Sequence, residues 1–242
     1  MKKHLYNSKF SKFAWFANRF GASEMILKPL RVIFAPVIIP MLPQNTFIFD
    51  GRELTCFYHQ YNVTWATERC VEIPIARTYL NSRGNLASLE VGNVLSHYGP
   101  VAHAVLDKFE KGAGVINKDI IDFKPEKRFD LIISISTFEH IGYDDSPEGS
   151  SSQKILFALQ NTRKLLQAGG KLVISIPVGY NPELDSLIEN RQLGSFRELF
   201  LSRTGSIEWK QTDKNEAMKR KYRSRFPYAN AIMVAEFGPL NE

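Results

Sequence analysis

The chain has 242 residues, 44% hydrophobic and 23% charged, which suits one α/β domain with an extension, or two small domains, and excludes a disordered or fibrous chain. The net charge of +6 sits in residues 1–31, where seven basic side chains meet only Glu24, while the other 211 residues hold 24 basic and 24 acidic groups. A neutral body argues against the basic stripe of a nucleic-acid enzyme, and Cys56 and Cys70 lack the spacing of a metal site or a disulfide framework, which fits a reducing, cytoplasmic compartment.

Residues 1–46 are basic, aromatic and punctuated by proline. The most apolar run, residues 30–42, is too short to span a bilayer, and Pro36 and Pro40 are expected to break it. It also makes a poor signal peptide, because the basic part before it is long and no small-residue cleavage site follows. Phe10, Phe13, Trp15, Phe16 and Phe20 alternate with lysines, so this segment either lies on an anionic membrane surface or packs on its own domain or another subunit.

Residues 47–84 open with "TFIFDGRELTCFYHQYN", an alternating pattern around Asp50-Gly51 that predicts a hairpin. A helix is expected over "TWATERCVEIPIARTYL", with Thr64 as a candidate N-cap and Pro74 forcing a bend or restart. From residue 85 onward strands and helices alternate. Strands are expected at 86–92, 101–109, 114–123, 128–141 and 171–179; the fourth is a continuous apolar run of the buried parallel kind. A helix is expected over 151–170, stopped by Gly169-Gly170, and 198–211 with 229–237 form a closing antiparallel pair. The basic run 214–226 reads as a solvated helix or loop, and "DDSPEGSSS", residues 144–152, as a lid or substrate loop.

In a doubly wound sheet the ligand lies beyond the strand C-termini, where the strand order reverses. Four such ends carry chemistry here. The first is Glu90-Val91-Gly92-Asn93, where glycine permits a tight turn. The second ends in Asp107, placed to accept both hydroxyls of a ribose. The third ends in Asp119, which can meet the amino group of an adenine and competes with Asp122 for that duty, and the fourth runs from Ser134 to His140. The G-x-G-x-x-G pattern that cradles a pyrophosphate is missing.

These stretches together resemble class I S-adenosylmethionine-dependent methyltransferases. "LEVGN" is similar to the family's first motif, "VLDKFE" to its ribose acid and "NKDIIDF" to its adenine-contacting acid. "FDLIISISTFEHIG" is similar to the fourth motif, and "ALQNTRKLLQAGGKLVISIPVG" to the late helix and strand. The resemblance covers residues 86–237 and rests on five elements in order. It departs from the family at Val94 and Ser96, which stand where further glycines are usual. A softer resemblance links "FYHQYNVTWATERCVEIPI" to bacterial methyltransferase-like proteins, some tied to cell-surface polysaccharide genes.

The resemblance implies a Rossmann-like, doubly wound, mostly parallel seven-stranded sheet with an antiparallel last strand, preceded by a helical and hairpin extension. The implied division is 1–46, 47–84 and 85–242. S-adenosylmethionine is the implied cofactor, held by Glu90, Gly92, Asn93, Asp107, Lys108, Asp119, Ile120, Ser136 and Thr137. Glu90 competes between that role and a cap on the following helix. His140 is the candidate base for a hydroxyl acceptor, a helix-start or core histidine being the other reading. His59, among Tyr58, Tyr61 and Trp65, either binds an acceptor ring or packs the hairpin on the helix. Glu68, Arg69 and Glu72 fall at helical spacing and either reach the site or pair on the surface. His97 and His103 are read as structural, and no metal is expected. The expected partner is a small-molecule or glycan-precursor acceptor with O-methyl transfer; an oligomer is open. One alternative is a binding module of the same fold without turnover. Another, a nucleic-acid methyltransferase, lacks its N/D-P-P-Y/F motif, since "SIST" occupies that place.

Overall fold

The structure is a computed structural model that describes residues 22–82, 86–144 and 151–240. Among the described residues ten strands build two sheets. Strands β1 (Thr46–Phe49) and β2 (Arg52–Thr55) form the expected hairpin, with Asp50 and Gly51 both at positive φ, as a two-residue turn of matching twist requires. The main sheet contains β3 (Ser88–Val91), β4 (Ala104–Leu106), β5 (Val115–Ile116), β6 (Phe129–Ile135), β7 (Leu166–Pro177), β8 (Arg197–Arg203), β9 (Trp209–Thr212) and β10 (Ala231–Phe237). Its order is β5-β4-β3-β6-β7-β10-β8-β9.

Strands β3 to β7 pair in parallel, and β10 lies antiparallel between β7 and β8. Seven strands thus form the Rossmann-like sheet that the sequence implies, with its last strand antiparallel. The eighth, β9, is a correction. The stretch 198–211 is not one strand but β8 and β9 folded back on each other, turning through Thr204 and Gly205. The chain order reverses between β3 and β6, and that point sets the site.

Both faces of the sheet are covered. Along β7, Leu172, Ile174 and Ile176 point to one core and Val173 to the other; along β10, Met233 and Phe237 oppose Ile232 and Val234. The first core packs against helices α3 (Ser151–Lys164) and α4 (Pro182–Glu189) and the turn holding Ile120 and Phe123. The second is closed by the hairpin and helix α2 (Arg69–Asn81). The remaining helices are α1 (Ala22–Ile38) and the short α5 (Lys214–Met218). Helix α4 was not expected from the sequence, while α5 falls within the run 214–226 that was read as a solvated helix or loop.

Several expected boundaries move. Helix α3 ends at Lys164, and Gly169-Gly170 lie inside β7. There the pairing with β6 slips between Phe129 and Leu131, and Gly169 takes φ +74°, so the glycines serve a strand irregularity rather than a helix stop. Thr64 is no N-cap. It sits in a 3-10 segment, Tyr61–Ala66, with its hydroxyl bound to the Tyr61 carbonyl, and α2 begins later. Pro36 does not break α1; it and Pro29 lie on the exposed side, where carbonyls left without a helical donor meet water.

Pro74 does not break α2 either. A proline there has no N–H for the Cys70 carbonyl, and that carbonyl accepts from Phe57 N at 2.8 Å instead. The freed acceptor thereby ties the chain leaving the hairpin to the helix. Cys56 and Cys70 are free, buried thiols hydrogen-bonded to one another, and burial pushes the Cys70 thiol well above its usual range. The expected lid, 144–152, lies mostly outside the described residues.

Candidate functional site

A cavity of about 330 Å³ opens at the C-terminal ends of β3, β4 and β6, where the strand order reverses. Eight of the residues singled out in the sequence line it: Gly92 and Asn93 after β3, Asp107 and Lys108 after β4, Asp119 and Ile120 after β5, and Thr137 and His140 after β6.

Gly92 turns the chain at φ +90°, and its N–H reaches the Leu106 carbonyl at 2.8 Å. A side chain there would overlap Thr137 Oγ1 and stand 3.0 Å from Thr137 Cβ and Cγ2. Asp107 Oδ2 accepts from Asn93 N at 3.1 Å; Oδ1 accepts from Phe109 N and Glu110 N at 2.7 Å each. Three of roughly four lone-pair positions are thus filled by the backbone, and one on Oδ2 is left. Asp119 accepts from Ile121 N at 3.0 Å and pairs with Lys108 Nζ at 2.8 Å.

Three predicted residues do not reach the cavity wall. Glu90 is fully buried: Oε1 accepts from Val94 N and Leu95 N at 2.9 Å, and Oε2 meets His103 Nε2 at 2.9 Å. Its side chain caps the next turn, the second of the two roles open to it. Ser136 takes φ +39° and bonds Glu72 Oε1 at 2.6 Å behind the wall. His59 accepts from Tyr61 N at 3.0 Å and stacks on Phe57 at 6.0 Å, so it packs the hairpin exit and is corrected as a catalytic candidate.

At the other end of the cavity the 3-10 turn Phe138–His140 follows β6. His140 Nδ1 lies 2.6 Å from Asp144 Oδ2, which also accepts from Tyr180 Oη at 2.8 Å. Nε2 lies 3.6 Å from Glu139 Oε1, and 43% of the imidazole is exposed. Burial lowers the imidazole pKa, but the Glu139 charge and the Asp144 bond outweigh it, so the net shift is upward. Burial drives the Glu139 carboxyl up to about 7 against the opposing pull of His140. Beside them, Arg69 from α2 lines the cavity, bonds the Ile135 carbonyl at 3.1 Å and faces buried Glu72 at 3.7 Å. Of the three helical-spacing charges, Arg69 alone enters the cavity wall; Glu68 accepts from Ala229 N inside the core.

Sequence reasoning missed several wall residues. His97, read as structural, lines the cavity, stacks on Tyr61 with centroids 4.6 Å apart and meets Glu110 at 3.2 Å. Tyr98 bonds Thr64, and Asn62 stands on the rim at positive φ. These contacts join the hairpin exit to the turn after β3, and no local pattern announces them. Asp144 is different: it lies four residues after His140, a spacing that places two side chains together, and that signal was readable.

Among the described residues no group of histidine, cysteine or acidic side chains could hold a metal ion. No protein-family model matches the chain, and no curated protein matches it. Solved structures that it resembles include the N-methyltransferase NodS from Bradyrhizobium japonicum with S-adenosyl-L-homocysteine. That likeness has 16% identity and TM-score 0.47, over 72% of this chain and 88% of that one. A methyltransferase dependent on S-adenosylmethionine from Archaeoglobus fulgidus shares 15% identity at TM-score 0.42, over 70% and 94%. A TehB-like one from Corynebacterium glutamicum shares 15% at TM-score 0.36, over 72% and 100%.

Proposed function

We propose that this chain transfers a methyl group from S-adenosylmethionine to a hydroxyl of a small-molecule or glycan-precursor acceptor. One observation carries the reading. A single cavity at the chain reversal joins Asp107 and Asp119 at one end to the His140–Asp144 pair at the other.

The wall suits a nucleoside. Val91, Leu106 and Ile120 offer apolar surface for a base, and the carboxylates Asp107, Glu110 and Asp119 stand on the same wall as the cations Arg69, Lys108 and Lys118. Only a four-residue 3-10 turn, Leu95–Tyr98, follows Gly92, so no α-helix N-terminus is aimed at a pyrophosphate. In this reading Asp107 Oδ2 takes a ribose hydroxyl, the Asp119–Ile120 turn takes the base, and Arg69 takes the amino-acid carboxylate. The chemistry such a cofactor supplies is an activated methyl group on a positively charged sulfur. His140 Nε2 removes the acceptor proton, and Asp144 on Nδ1 fixes the ring and stabilises its charged form. Alignment in the cavity supplies much of the rate.

Isothermal titration with S-adenosylmethionine and S-adenosylhomocysteine tests the reading. Binding that Asp107→Ala weakens supports it; no binding by the wild type overturns it. A binding module without turnover is the second reading, favoured by Val94 and Ser96 and by the short turn replacing a helix. Tight cofactor binding with no transfer to any acceptor would support that instead. An amine acceptor entering as its free base would leave the rate insensitive to His140→Gln, which separates N- from O-transfer.

A further inference from the structure

Helix α1 is amphipathic the wrong way round for a free surface. Its body-facing stripe is Glu24, Lys28, Arg31 and Ala35, at the i, i+4, i+7, i+11 spacing of one helix face. Arg31 bonds Glu24 at 2.6 Å, and Lys28 bonds Asn62 Oδ1 at 2.9 Å. Burial lowers the Lys28 pKa, as expected for an ammonium turned inward. The opposite stripe, two residues on, is Ile26, Leu30, Ile33 and Val37, and Ile26, Ile33 and Val37 are 66%, 67% and 62% exposed. Phe34 and Met41 extend it. A contiguous apolar face of this kind marks an interaction surface.

We propose that this face seats on an anionic lipid surface. Charge complementarity selects the occupant. Residues 1–31 carry the chain's whole excess of positive charge, and residues 1–21 hold five lysines and arginines and no acid, interleaved with Phe10, Phe13, Trp15, Phe16 and Phe20. Basic residues beside aromatic ones are a composition that binds an anionic headgroup boundary. Among the described residues no helix is long and apolar enough to cross a membrane. On the opposite stripe, Lys28 bonds Asn62 on the cavity rim and ties α1 to the body. Lipid seating does not depend on methyl transfer.

Flotation of the full chain with phosphatidylglycerol-containing vesicles, with pure phosphatidylcholine vesicles as control, tests it. The wild type should float with the anionic vesicles, stay behind with the neutral ones and be released by high salt. Ile26→Ser/Ile33→Ser/Val37→Ser should lower the floating fraction about tenfold, with an unchanged circular-dichroism melt because all three side chains point outward. Val37→Ser alone, the milder variant, should give a smaller loss. Absence of flotation, or flotation unaffected by the triple variant, overturns the proposal. So does a concentration-dependent dimer in gel filtration that the triple variant abolishes, which would assign the face to a second copy.

Discussion

Gly92 and Thr137 interlock: the space a side chain would need at position 92 is filled by the Thr137 hydroxyl and methyl. The turn after β3 and the end of β6 therefore touch with no slack at the point where the sheet reverses. Gly92→Ala should combine left-handed backbone strain with overpacking, each of order 1–3 kcal/mol. A loss of about 2–4 kcal/mol in denaturant unfolding is expected. Adding Thr137→Gly should recover part of it; simple additivity of the two would show that the contact does not matter.

Asp107 has three acceptor positions filled by the backbone and one left on Oδ2, the position that the proposed function gives to a ribose hydroxyl. Asp107→Ala should weaken S-adenosylhomocysteine by about 1–3 kcal/mol, the cost of leaving polar groups unpaired. Asp107→Asn keeps one oxygen and should lose less affinity. Equal titration curves for all three proteins would remove Asp107 from the ribose.

The neutral imidazole of His140 is the form that accepts a proton, and its pKa is raised by Glu139 and Asp144. The rate of methyl transfer should therefore climb with pH through a midpoint above the ordinary histidine value of about 6.5. Asp144→Asn should move that midpoint down. A pH profile that does not respond to this change would show that another group controls the rate.

Glu139 makes stability fall with pH. Its carboxyl titrates at about 7 when folded and near 4.5 when unfolded, so the folded state holds the proton more tightly. The stability this adds is complete below 4.5 and is lost as pH rises to about 7. The change is worth about 3 kcal/mol at most. His140, also raised, acts in the same direction across its own range. Urea midpoints should decline between those limits in the wild type and stay flatter in Glu139→Gln. Parallel curves would place the slope elsewhere.

The legible parts of the molecule are those fixed by local pattern. The apolar run of β6, the Asp50-Gly51 turn and the acids closing β4 and β5 all declare themselves within a few residues. Gly169-Gly170 misled because a glycine pair ends a helix or loosens a strand equally well, and only the pairing with β6 decides. Glu90 was ambiguous for a similar reason: a carboxylate before a turn can serve a ligand or the turn's own N–H groups, and here the N–H groups and His103 take it. The Tyr61–His97 stack was invisible, since it exists only after the hairpin exit has docked on the sheet.

Pro74 has one further consequence. Because it leaves the Cys70 carbonyl to Phe57, the link between the hairpin and α2 is a main-chain bond that side-chain substitution cannot remove. The two elements then open together or not at all, as a single exchange unit. The Phe57 amide should trade its hydrogen for deuterium at the rate of the first turn of α2, not at the faster rate of a surface hairpin, so a proline inside a helix becomes the residue that keeps a neighbouring ribbon closed.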